Sequence, residues 1–81
     1  VEHTLLLFAR LAELAGSDRL TMTLPADTSA EAILAAAAQA RPALAPVLRT
    51  CRVAVDQVFV RGPLTLSATS EIALIPPVSG G

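Results

Sequence analysis

The sequence predicts an α+β fold: a mixed sheet of about five strands with one main helix packed on one face and an extended C-terminal tail. Three observations predict it. The apolar runs Leu5-Leu6-Leu7-Phe8 and Ile72-Ala73-Leu74-Ile75 lie at opposite ends of the chain and have the near-continuous apolar character of strands at the centre of a sheet. Between them one alanine-rich stretch ending near Ala40 has the length and propensity of a main helix. Pro76-Pro77 follows the last apolar run directly, and two missing amide donors end strand pairing there.

Taken in order, His3 to Ala9 reads as a first strand covered on both faces. Arg10 to Ala15 changes to helical spacing, with Leu11, Leu14 and Ala15 on one side, and Gly16 supplies the stop. Arg19 to Leu24 alternates strictly, Leu20, Met22 and Leu24 facing one way, as a half-exposed strand does. Thr28-Ser29-Ala30-Glu31 fits a capping box with Thr28 as the cap and Glu31 reaching back to it. The helix runs to about Ala40, because Arg41 precedes a proline and is pushed out of helical geometry. Pro42 to Leu48 forms one more short turn with Leu44, Val47 and Leu48 as its apolar side. Val53-Ala54-Val55 and Val58-Phe59-Val60 are β-branched runs across Asp56-Gln57, a hairpin pattern. Gly62-Pro63 is a break, and Glu71 to Ile75 is the last strand.

With the two apolar end strands side by side and parallel, the other strands fall outside them and the helix covers one face. That is the β-grasp, or ubiquitin-like, arrangement. A ferredoxin-like fold would need a second substantial helix, and the segment from Gly62 to Ser70 is too short and polar for one. Residues 1–75 are therefore the expected domain and residues 76–81 a flexible tail.

Composition narrows the function. The 81 residues suffice for one small domain, and a hydrophobic content of 53 % with Phe8 and Phe59 as the aromatics requires a core of Leu, Val, Ile and Ala. A formal net charge of −1 with scattered basic residues leaves no footprint for a phosphate backbone, so nucleic acid is not an expected partner. No apolar run approaches the roughly 18 residues that cross a bilayer, and no leader pattern is visible. A single cysteine, Cys51, excludes an internal disulfide and fits a reducing compartment. The expected location is cytoplasmic, with no membrane partner.

The final six residues, Pro76-Pro77-Val78-Ser79-Gly80-Gly81, carry the functional signal. The prolines stiffen a stem that leaves the sheet, while the glycines lack Cβ atoms and fit a channel too narrow for side chains. Fully extended, the segment reaches roughly 20 Å at about 3.3 Å per residue, enough to bring a terminal carboxylate into a neighbouring active site.

With Leu7-Phe8-Ala9-x-Leu11-x-Glu13-Leu14-Ala15-Gly16 near the start, Val53-Ala54-Val55-Asp56-Gln57 in the middle and Glu71-Ile72-Ala73-Leu74-Ile75-Pro76-Pro77-Val78-Ser79-Gly80-Gly81 at the end, the chain resembles the small, sulfur-carrier subunits of molybdopterin synthase. The resemblance spans essentially the whole chain. It departs from the family pattern at Asp56-Gln57, where Asn-Gln is common, at Ala12, where an Arg is frequent, and at Ala68-Thr69-Ser70-Glu71, where an acidic turn is usual.

The resemblance implies that an adenylating, E1-like enzyme uses ATP and magnesium to activate the Gly81 carboxylate. A persulfide sulfur donor then leaves a thiocarboxylate on Gly81. Pro76, Pro77, Val78, Ser79 and Gly80 would thread into the partner's active site, and Phe8, Phe59 and Ile75 would meet the large catalytic subunit in an assembly of two small and two large subunits. Sulfur would pass to a pyranopterin precursor and build the dithiolene of molybdopterin. The chain itself would bind no cofactor and act as the sulfur-donating subunit rather than an enzyme alone. The alternatives are a carrier for thiamine or tRNA thiolation and a ubiquitin-like protein modifier. His3 and Cys51 lack companions at ligand spacing, so both are expected to be structural, with no metal site.

Overall fold

In the computed structural model, which describes residues 2–77, the first and last strands are the central pair. Strand β1 (Glu2–Leu7) is followed by α1 (Arg10–Ala15), β2 (Arg19–Thr23), β3 (Asp27–Ser29), α2 (Ala30–Ala40), a 3₁₀ turn (Pro42–Leu44), α3 (Ala45–Leu48), β4 (Arg52–Val55), β5 (Val58–Val60), β6 (Pro63–Thr65) and β7 (Ile72–Ile75). The main sheet has the order β2-β1-β7-β4-β5. Strands β1 and β7 are parallel, with Leu5 opposite Ile72 and Leu7 opposite Leu74, and the other neighbours are antiparallel.

Period-2 alternation decides which side chains enter the core. Leu5 and Leu7 of β1, Leu20 of β2, Val53 of β4, and Ile72 and Leu74 of β7 are buried in one cluster with Ile33 and Ala37 of α2. Ala30, Ile33 and Ala37 share one face of α2 by their helical spacing. Leu11, Leu44 and Leu48 join the cluster from α1 and the short turns that follow α2, with Leu24, Cys51 and Leu66 from the connections.

Local chemistry explains the boundaries. Gly16 takes a left-handed conformation (φ 71°) and its amide donates to the Ala12 and Glu13 carbonyls, while the Ser17 amide donates to Ala12. This is the Schellman ending that glycine favours. Arg41 leaves helical geometry (φ −138°, ψ 85°) before Pro42, so α2 stops at Ala40. Asp56 and Gln57 both have positive φ (51° and 69°), which makes the β4–β5 connection a type I′ turn matched to the strand twist.

Four expectations are corrected. First, β1 ends at Leu7 rather than Ala9, because Ala9 has φ 51°, ψ −123° and the Leu11 amide donates to the Phe8 carbonyl at 3.1 Å. A residue with that geometry turns the chain. Second, β1 is not covered on both faces: Glu2 and Thr4 are exposed and Leu6 is half-buried, since helices lie on one side only. Third, the cap of α2 is Ser29, whose hydroxyl accepts from the Ala32 amide at 3.0 Å. Thr28 instead pairs with Leu64 in the β3–β6 ladder, and Glu31 accepts from the Gly62 amide at 3.3 Å. Fourth, Leu14 does not share the burial of Leu11 but stays exposed. The two-stranded β3–β6 sheet was not expected at all. The tail residues 78–81, with the proposed flexibility of the tail, lie outside the described residues, as does Val1.

Candidate functional site

The site is assembled on the sheet face that the helices leave open. Register places Leu6 opposite Ala73, Ala73 opposite Ala54, and Ala54 opposite Phe59, so a single row of apolar side chains crosses four strands on that face. The next row towards the end of β7 contains Ile75 opposite Arg52. Phe8 follows the final β1 residue, next to the strand that carries Ile75.

Phe8 and Phe59 remain 47 % and 55 % exposed. Ile75 is half-buried. For a large side chain this exposure is informative, because aromatic carbons left in water lack the burial that would stabilise them. Phe8 sits at the turn that Ala9 forces, and a non-glycine residue held at such a φ costs on the order of 1–3 kcal/mol. That strain ends β1 early and sets Phe8 at the sheet margin.

Phe59 and Ile75 are brought together with the base of the tail. They line a groove of about 300 Å³ with Thr50, Arg52, Pro76 and Pro77. The Arg52 guanidinium carbon lies 5.2 Å from the centre of the Phe59 ring, a cation–π contact contributing about 0.5–1 kcal/mol at an exposed site. Phe8 does not line this groove. Pro76 is half-buried and Pro77 exposed, so the stem departs from the central strand at the edge of the open face.

The hairpin that carries Phe59 is fastened to β7 itself. The Asp56 amide donates to the Glu71 carbonyl at 2.8 Å and the Glu71 amide donates to Asp56 Oδ1 at 3.0 Å. These reciprocal bonds fix the turn at the start of the strand whose other end becomes the tail. Sequence reasoning missed Arg52, Leu6 and Ala73 as members of this face; the signal available was the strand parity shared with Phe59 and Ile75.

The remaining candidates are structural. His3 is 4 % exposed and its Nε2 lies 2.9 Å from the Ser67 carbonyl oxygen. Cys51 is 8 % exposed, its thiol donates to the Val47 carbonyl at 3.3 Å, and burial pushes its pKa up. No group of three or more His, Cys, Asp or Glu able to hold a metal occurs among the described residues. Among the same residues, no helix is long and apolar enough to cross a membrane. The arrangement suits docking and delivery: an apolar platform, an arginine at its margin, and a proline stem leaving beside them.

Known proteins share this architecture. The sequence pattern of the ThiS family matches residues 5–81. The molybdopterin synthase sulfur carrier subunit of Chlamydomonas reinhardtii is 40 % identical over 78 residues, covering 94 % of each chain. Among solved structures, SAMP1 from Haloferax volcanii superposes with a TM-score of 0.82 at 31 % identity over 100 % of both chains. A protein–protein complex of subunits 1 and 2 of the molybdopterin-converting factor from Helicobacter pylori includes a chain matched with a TM-score of 0.72 at 18 % identity, with 100 % of both chains covered. These likenesses establish the β-grasp fold.

Proposed function

The chain belongs to the ThiS family, alongside molybdopterin synthase sulfur carrier subunits, and from that premise we propose that it is a sulfur carrier whose Gly81 carboxylate is activated and converted to a thiocarboxylate. The observation that carries this reading is the stem Pro76-Pro77, leaving the central strand beside an exposed apolar face and continuing in sequence to Gly80-Gly81.

A carboxylate is a poor electrophile, so the first step attaches its oxygen to the α-phosphate of ATP on an adenylating enzyme, with magnesium, and pyrophosphate leaves. The terminal sulfur of a donor persulfide then attacks the acyl carbon and AMP departs. Cleavage of the resulting acyl persulfide by a second thiol yields the thiocarboxylate and a disulfide. The loaded tail enters the large subunit of molybdopterin synthase, two small with two large subunits, and its sulfur passes to a pyranopterin precursor on the way to the dithiolene. Pro76, Pro77, Val78, Ser79 and Gly80 form the threaded segment, while Phe8, Phe59 and Ile75 dock on the partner. Acid–base groups for the transfer belong to the partner.

Intact-mass measurement tests the assignment. The chain isolated from cells that contain its activating enzyme gains about 16 Da on the C-terminal peptide, sulfur replacing oxygen at Gly81. A C-terminal peptide that stays wholly in the carboxylate form in such cells would refute it. The docking face has its own test. As an aromatic anchor of the docking face, Phe59 truncated to alanine (Phe59→Ala) weakens binding to the large subunit by about 2 kcal/mol, roughly thirtyfold. Titration calorimetry reads this directly, and an unchanged affinity removes Phe59 from the interface.

A second reading follows from the likeness to SAMP1, a small archaeal modifier protein. There the same activated end would form an amide with a lysine of a target protein. Recovery of the chain attached through Gly81 to other proteins would select that reading.

A further inference from the structure

All six basic residues are arginines: Arg10, Arg19, Arg41, Arg49, Arg52 and Arg61. The sequence has no lysine, and it has no tyrosine. All six arginines are exposed, and a guanidinium stays protonated and donates hydrogen bonds without offering a nucleophilic lone pair.

The thiol of Cys51 and the imidazole of His3 are withdrawn from the surface. Cys51 is 8 % exposed with its thiol bonded to the Val47 carbonyl. His3 is 4 % exposed with Nε2 against the Ser67 carbonyl. Burial also pushes the Cys51 thiol pKa up, away from the thiolate that is the reactive form. Serine and threonine hydroxyls attack acyl groups only when a base activates them. The Ser67 hydroxyl lies 3.2 Å from those of both Thr69 and Ser70, with no base among them.

We propose that the globule is an acyl-inert body: it presents no competent side-chain nucleophile to an activated C-terminus, so one copy cannot acylate another through a side chain. The inference rests on the reading that Gly81 is activated, and it adds a constraint on the outcome. Each activated end goes to an acceptor other than a side chain of a second copy, whether a sulfur donor, a pterin precursor or a target amine, and no string of copies grows through side-chain amides. The excluded reaction would have a lysine nitrogen attack the acyl carbon of a second copy. A C–N bond would form, the bond to AMP or thiol would break, and the leaving group would depart with the amine's proton.

The test installs the activated end chemically, so it needs no activating enzyme. Full-length chain carrying a C-terminal thioester on Gly81, with its α-amino group acetylated, is incubated at high concentration in mildly alkaline buffer and analysed by intact mass after denaturation and reduction. The unsubstituted chain gives hydrolysed monomer and no covalent dimer. Arg41→Lys and Arg49→Lys, at exposed positions away from the open sheet face, each give an amide-linked dimer whose mass is that of two chains less the released thiol, at least about tenfold above the unsubstituted chain. Dimer from the unsubstituted chain at the level of the lysine variants overturns the proposal. So does absence of dimer from both variants, since inertness would then owe nothing to the missing amines. Failure of the sulfur-carrier reading would appear separately, as an unmodified Gly81 in cells.

Discussion

Deleting Gly81 abolishes sulfur loading and leaves thermal unfolding unchanged. The truncated chain still ends in a glycine carboxylate, but that group is withdrawn by about 3.3 Å, one residue of extended chain. Activation requires the carboxylate oxygen within about 3–3.5 Å of phosphorus, and a misplacement of 1 Å can cost about a hundredfold, so the loss exceeds that factor. The buried cluster of the described residues runs from Leu5 to Leu74, and a chain end contributes little to stability unless tied down. Pyrophosphate exchange on the activating enzyme together with the mass of the C-terminal peptide reads the loss. Sulfur loading of the deletion variant at the normal rate would show that Gly81 is not the reacting end.

Leu74→Ala is the opposite case, a large loss of stability at a residue that takes no part in the chemistry. Leu74 is fully buried in β7, with Leu7 opposite on one side and Val53 on the other. Removing its branched end forfeits the transfer free energy and leaves a cavity between two central strands, together about 3 kcal/mol. For a domain of this size, whose total stability is on the order of 4–12 kcal/mol, that is a large share. The melting temperature falls by about 12–24 °C, taking about 4–8 °C per kcal/mol. Differential scanning calorimetry measures the shift. A change below a few degrees would mean that the β7 position is not the packed centre of the fold.

Most of the fold was legible because its strongest signals are periodic. The apolar runs of β1 and β7 pointed to the central pair, and Gly16 and Pro42 marked two helix ends, since each acts through backbone geometry within a few residues. The β3–β6 sheet was not legible: Asp27-Thr28-Ser29 has no strand periodicity, and it pairs with Pro63-Leu64-Thr65 from beyond α2, α3, β4 and β5. That pairing also displaced the helix cap from Thr28 to Ser29, a tertiary effect on a local motif. At the candidate site, the resemblance pointed to Phe8, Phe59 and Ile75, of which the structure gathers Phe59 and Ile75 in one groove and leaves Phe8 outside it. Arg52 could not be named from the chain, because its contact with Phe59 depends on the β4–β5 register. Double coverage of β1 was misread from the Leu5-Leu6-Leu7-Phe8 run, which mixes core-facing residues with members of the open face.

The parallel pairing of β1 with β7 joins segments from opposite ends of the chain. Contacts so distant in sequence form late, since loop closure must precede them. The five-stranded sheet cannot close until β7 is available to pair with both β1 and β4. A product truncated before β7 lacks the strand that joins β1 to β4 and stays open to proteolysis.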